Sequence, residues 1–135
     1  MAAVKAAGAD ENTVTFFTSD NGAPTNHIAD QTDGRGSNAP LRGFKGQVWE
    51  GGIRMPAMVR WPGTIRPGSR TDVLAATYDV FATMLSLAGA RPPPERIIDG
   101  KDLTGVLLEH PGATGHRCLF QYYSGRLLAA VRCGR

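Results

Sequence analysis

Cysteine, runs of like charge and long apolar stretches are all scarce in this 135-residue sequence, and each scarcity excludes something. Two cysteines, Cys118 and Cys133, are too few for a disulfide-built scaffold, and their spacing fits no common zinc pattern. They can pair with each other across a hairpin, and composition alone leaves the redox compartment open. Lys and Arg number 15 against 12 Asp and Glu, a net charge of +3 with no block of like charge. That argues for a mildly basic surface and against a nucleic-acid-binding arm. No stretch approaches the roughly 20 apolar residues of a membrane-crossing helix. Met1 to Asp10 carries a single lysine and no apolar core, so no signal peptide is expected there.

Glycine and proline are plentiful, at 17 and 9 residues, and 41% of the chain is apolar. A packed fold rich in enforced turns follows, not a helical bundle. Ala2–Ala7 reads as a short helix stopped by Gly8. Thr13–Thr18 is a β-branched and aromatic run without a polar face, the pattern of a strand covered on both sides. A polar segment from Ser19 to Gly52 has little periodicity, and loops of that length in a compact domain are usually functional or disordered. Residues 56–63 read as a proline-bracketed strand. Val80, Phe81, Met84, Leu85, Leu87 and Ala88 recur at helical spacing and read as core, with Thr77 or Asp79 as candidate N-cap and Gly89 just past the end. Asp102 can cap a brief helix running to Leu108. Residues 118–123 and 127–133 flank Ser124-Gly125-Arg126 as a β-hairpin. The order is that of an α/β chain with an antiparallel appendage.

Ser19-Asp20-Asn21-Gly22 follows the first strand directly, and in open α/β sheets ligands collect beyond the carboxyl ends of strands. A carboxylate beside an amide carbonyl offers two hard oxygens, suited to Ca²⁺ or Mg²⁺. Calcium takes about six to eight oxygens, so further ligands would have to come from elsewhere. Asn-Gly is also a plain turn signal. Lys45, between Gly43 and Gly46, sits where backbone can approach a ligand closely and can present a compact positive charge to a tetrahedral oxyanion. In Trp49-Glu50-Gly51-Gly52-Ile53-Arg54-Met55-Pro56, Glu50 and Arg54 can brace a loop. His27, His110 and His116 have no companion at metal or catalytic-dyad spacing and read as ordinary surface or loop histidines.

Together these residues resemble the sulfatase family. The matching pieces are Asn12–Gly22, Gly36-Ser37-Asn38, Lys45 with Trp49–Pro56, Arg60-Trp61-Pro62-Gly63, Tyr78–Thr83, Leu87–Ala90 and Ile98–Leu103. The likeness covers nearly the whole chain and has the character of animal arylsulfatases, including the steroid sulfatase and galactosamine-6-sulfatase groups. Ala82 departs from it, since the family has Pro before the residue at Thr83. The resemblance implies an alkaline phosphatase-like fold. Residues 1–115 would be the C-terminal part of a large α/β domain, and 116–135 the first hairpin of a small antiparallel C-terminal subdomain. It implies Asp20 and Asn21 on a Ca²⁺ ion, Lys45 against the oxygens of a sulfate ester, and a parent enzyme of the secretory pathway. The family nucleophile, a formylglycine made within Cys-x-Pro-x-Arg, has no counterpart, because neither cysteine here has the Pro and Arg. The expectation is a fragment of a sulfuric ester hydrolase without turnover of its own.

Two other readings stand beside this one. A non-catalytic short isoform would bind a metal or a partner through the same turn. The other is a phosphoryl-transfer relative on the same fold, against which the Gly-Gly-Ile-Arg-Met-Pro string and Lys45 argue.

Overall fold

The computed structural model describes residues 1–24, 36–123 and 125–134. In chain order the elements are α1 (Ala2–Ala6), a 3-10 turn (Asp10–Asn12), β1 (Thr15–Thr18), α2 (Glu50–Ile53), β2 (Ala57–Arg60), α3 (Asp79–Leu87), α4 (Thr104–Leu107), β3 (Cys118–Tyr123) and β4 (Leu127–Cys133). β1 pairs with β2 and β3 with β4, giving two two-stranded sheets. The hairpin strands have the expected bounds. Cys118 and Cys133 are joined in a disulfide with their Cα atoms 4.1 Å apart, and the amide of Gly134 donates to the carbonyl of Arg117. His27 and Ser124 lie outside the described residues.

The chain divides into two compact units. The first comprises Met1–Thr15, Val59–Leu119 and Val131–Arg135. Within it the guanidinium of Arg60 makes two hydrogen bonds of 2.7 Å to the Asp10 carboxylate, and the Trp61 indole donates to the carbonyl of Glu11. That fork-to-fork geometry holds the Asp10 carboxyl below its ordinary pKa. α3 packs on α4. Past the end of α3, Gly89 takes φ +68° while the amides of Gly89 and Ala90 bond back to Ser86 and Leu85. This is the Schellman closure that favours glycine. Asp102 is not the cap expected of it: Leu103 holds the N-cap position of α4 without a side-chain bond, and Asp102, one residue earlier, accepts from the Thr104 amide at 2.8 Å.

The interior of this unit corrects two expectations. The apolar stripe on α3 is not core: Phe81 is 52% exposed and Met84 40%. The fully covered side chains on α3 are polar instead, Asp79 and Thr83. Tyr78 holds the N-cap position, and Asp79 is the first helical residue. Its carboxylate turns away from the helix: Oδ2 accepts from the Ala76 amide at 2.7 Å, and Oδ1 from the Lys101 amide at 2.8 Å. The same Oδ1 lies 2.7 Å from Nε2 of His116. So His116 is not a surface histidine; its side chain is 10% exposed and paired with a buried carboxylate. Thr83 Oγ1 donates to the Asp79 carbonyl and accepts from the Leu103 amide, which ties α3 to the start of α4. Helical periodicity identifies the apolar face but not which face the rest of the unit covers. Here the covered face is the one that can satisfy loop amides, because a buried amide without a partner costs more than an exposed methyl group.

The second unit comprises Phe16–Met58 and Phe120–Ala130. Burial along β1 falls from half-buried at Thr15 and Phe16 to exposed at Phe17 and Thr18. It is therefore not covered on both sides as its uniform composition suggests: β2 is its sole strand neighbour among the described residues, and Phe17 is 63% exposed. The polar segment after β1 ends in a single helical turn, α2, in which Arg54 lies 3.5 Å from Glu50. Arg54 is exposed and Glu50 half-buried, so the ion pair between them is an i,i+4 contact of small energetic weight.

Candidate functional site

The turn that follows β1 is held by hydrogen bonds both within itself and to the segment at Pro56. Thr18 Oγ1 donates to the carbonyl of Pro56 at 3.0 Å, and Ser19 Oγ to the carbonyl of Asn21 at 2.8 Å. Asp20 is exposed and Asn21 half-buried. The amide nitrogen of Asn21 donates to Asp20 Oδ1 at 3.0 Å and reaches the carbonyl of Gly22 at 3.3 Å. A carboxylate and a side-chain amide thus stand together at the strand's end. It is the amide nitrogen that faces the carboxylate, however, so binding a cation through both residues calls for a half-turn of the Asn21 amide.

Glycine fixes where this turn sits. The amide of Gly22 donates to the carbonyl of Gly52 at 2.9 Å, and a methyl group added at Gly22 would run into the carbonyl of Gly51. Gly51 in turn lies against the backbone of residues 42 and 43, its amide donating to the Arg42 carbonyl at 2.7 Å. All three glycines are buried. The paired glycines of the Trp49–Pro56 string therefore serve backbone-to-backbone packing, which no side chain permits.

Lys45 occupies the second position of a β-turn closed by the Gln47 amide on the Phe44 carbonyl at 3.0 Å. Gly46 follows with φ +90°, the left-handed value that a turn of this kind demands at its third residue. The turn lifts the Lys45 side chain into solvent. Its backbone is bound to the first turn: the Lys45 amide donates to the carbonyl of Ala23 at 2.9 Å. Ala23 stands two residues after Asn21, so the structure brings the Asp20–Asn21 turn and the Lys45 turn together through backbone.

A hollow of about 610 Å³ opens beside them, lined by residues 37–44 with Gln47 and Trp49. The Arg42 guanidinium stacks 4.0 Å above the Trp49 ring in its wall. Asp20, Asn21 and Lys45 are not among its lining residues. The described residues contain no group of three or more His, Cys, Asp or Glu side chains able to hold a metal. Asp20 and Asn21 fit a hard cation in donor type and supply only part of a coordination shell. Both cysteines are consumed by their mutual disulfide, so neither is free to act as a nucleophile. No helix among the described residues is long and apolar enough to cross a membrane.

Asn38 is the residue of this site to which the sequence assigned no role. Its side chain bonds both the amide and the carbonyl of Ala23 and also reaches Gly43. Its position in the Gly36-Ser37-Asn38 string was the available signal. Its long-range partners were not legible, because nothing in local pattern links residues 23 and 38.

Comparison with known proteins agrees with this architecture. Residues 1–90 match the family model described as Sulfatase. The chain is 42% identical to steryl-sulfatase of Rattus norvegicus over 132 residues, covering 97% of this chain and 23% of that protein. It is 44% identical to N-acetylgalactosamine-6-sulfatase of Mus musculus over 128 residues, covering 95% of this chain and 24% of the relative. Among solved structures, the PsFucS1 sulfatase from Pseudoalteromonas sp. superposes with a TM-score of 0.82 at 34% identity, over 98% of this chain and 26% of that one. The chain thus spans about a quarter of the length of these relatives. Its mixed helices and small antiparallel sheet are a portion of the alkaline phosphatase-like α/β fold, and the chain belongs to the sulfatase family.

Proposed function

We propose that this chain contributes one edge of a sulfuric ester hydrolase site: the Asp20 carboxylate and the Asn21 amide hold part of a calcium shell, and Lys45 contacts the sulfate group. Residues 1–115 belong on this reading to the large α/β domain of a sulfatase and 116–135 to its smaller subdomain. The observation that carries the proposal is the direct bond between the two turns, from the Lys45 amide to Ala23. It sets an exposed ammonium and an exposed carboxylate in neighbouring turns of one loop cluster, as an anion bound beside a cation requires. Lys45 acts as a point charge on a flexible stem, donating to a sulfate oxygen and offsetting negative charge as the S–O bond to the departing alcohol weakens. Asp20 and Asn21 orient a hard cation at the strand end. A bound calcium would supply Lewis-acid polarisation of the sulfate. Turnover needs a nucleophile, and the disulfide leaves none of the required type in this sequence. The disulfide also supports an origin in an oxidising compartment such as the secretory pathway.

Calorimetric titration with calcium chloride tests the reading. Weak binding that disappears in Asp20→Ala, with no hydrolysis of an aryl sulfate by the purified chain, is the expected result. Heat that is absent, or indifferent to the substitution, overturns the metal assignment, and measurable aryl-sulfate turnover overturns the division of labour.

A further inference from the structure

We infer that Asn38 is the positioning residue that holds the Asp20–Asn21 turn and the Lys45 turn as one unit, so that a cation bound at the first and an oxyanion contacted at the second sense each other. The inference rests on the function proposed above and names a residue that this reading does not include.

The geometry is specific to a short planar amide. Asn38 Oδ1 accepts from the amide of Ala23 at 2.6 Å, while Nδ2 donates to the carbonyl of Ala23 at 2.9 Å and to that of Gly43 at 3.2 Å. One side chain therefore satisfies both polar groups of Ala23, as a neighbouring strand would, and spends its second N–H on the other segment. The two anchor points are symmetric about the site: Ala23 lies two residues after Asn21, and Gly43 two before Lys45. The Ala23 carbonyl also accepts from the Lys45 amide, so the three-way junction closes on itself. Asn38 is half-buried, where such bonds meet less competition from water. An aspartate of the same shape would accept from the Ala23 amide but turn a bare oxygen toward two carbonyls. A glutamine would carry the amide one methylene too far, and an apolar residue would take a partner from all three backbone groups, leaving the Ala23 carbonyl only the Lys45 amide.

Hydrogen exchange read by NMR on the 135-residue chain and on Asn38→Asp separates this from a general packing role. At pH 7 the Lys45 amide of Asn38→Asp is expected to exchange about tenfold faster than in the parent, roughly the factor one hydrogen bond contributes. The His116 amide, bonded to Leu74 in the other unit, stays protected. Below about pH 4, where an aspartic acid carries a proton it can donate, protection at Lys45 returns toward that of the parent chain at the same pH. Added calcium chloride shifts the Asn21 and Lys45 resonances together in the parent, and only Asn21 in Asn38→Asp at pH 7. Ser37→Ala, which removes the bond from the Ala39 amide to the Ser37 hydroxyl, leaves Lys45 protected. Unchanged exchange at Lys45, loss that acid does not reverse, or equal loss in Ser37→Ala overturns the assignment. If Asn38→Asp unfolds throughout, Asn38→Ser decides by the same comparison of Lys45 with His116. Failure of calcium to shift the parent chain sinks the proposed function instead and leaves the exchange result to judge Asn38 by itself.

Discussion

The two units solve the same problem, fixing loops that carry few apolar contacts, by opposite means. In the first unit a buried carboxylate gathers the loops: Asp79 takes two backbone amides and His116, while Thr83 takes a third amide. In the second unit Asn38 ties Ala23 to Gly43, and Gly22, Gly51 and Gly52 let backbone lie against backbone. Leu119 is the single apolar side chain that is buried among the described residues, so neither unit relies on a conventional hydrophobic core. The difference determines what each unit can present to solvent. Where side chains supply the hydrogen bonds, polar groups are used up inside; where glycine backbone supplies them, Asp20 and Lys45 remain free to face outward. A site built on the second plan keeps its functional groups in water while its backbone is held in place.

The comparison breaks first, and most severely, at Asp79. Asp79→Ala leaves two amides and an imidazole without their acceptor in a fully covered position, a loss on the order of 3–5 kcal/mol by the measure of broken buried pairs. Chemical denaturation should show it as a large fall in midpoint. A fall no greater than that of an average surface substitution would mean the first unit is held by something other than this carboxylate.

Gly22→Ala strikes the second plan and comes next. The added methyl has no space, because it would run into a backbone carbonyl that cannot swing aside. A cost toward the top of the roughly 1–3 kcal/mol range of overpacked sites follows. It should be local, with faster hydrogen exchange at the amides of Gly22 and Lys45 and little change at His116. Even spreading of the effect over both units would show that the two plans are not separable.

What the sequence made legible divides along the same line. Elements marked by capping, turn or alternation signals appear within a residue or two of their expected bounds: α1 before Gly8, α3 before Gly89, and both strands of the hairpin. Asp20 and Asn21 stand out as candidates because they follow a strand directly, and Lys45 because glycines bracket it. The misreadings all depend on contacts distant in sequence. His116 lies 37 residues from Asp79, so no spacing rule could pair them. The partly exposed stripe of α3 and the half-open β1 were misjudged for a related reason. Apolar pattern reports which face prefers cover and says nothing of what supplies it. The family resemblance includes Gly36-Ser37-Asn38 but gives Asn38 no role, since that role exists only once residues 23, 38 and 43 meet.

The smallest effect concerns pH and distinguishes the units by charge alone. In the first unit Asp10 is held below its ordinary pKa by hydrogen bonds from Arg60, and Glu109 by those from Arg66. Each folded carboxylate thus holds its proton less tightly than the unfolded one does. Both contributions are fully present above the unfolded values, near pH 4 to 4.5, and drain away as pH falls through the lower folded values. Both pairs are partly open to solvent, so salt screens them and the slope of stability with pH is shallow. Asp10→Asn should lower stability slightly at pH 7 and flatten the decline between pH 5 and 3, the flattening shrinking in 1 M salt. The Lys45 and Asn21 amides of the second unit should show no matching change in exchange, since no bond described there depends on either carboxylate. A pH slope that survives Asp10→Asn unaltered would remove Asp10 from the acid response, and a parallel change at Lys45 would mean that the loop cluster shares the first unit's electrostatics after all.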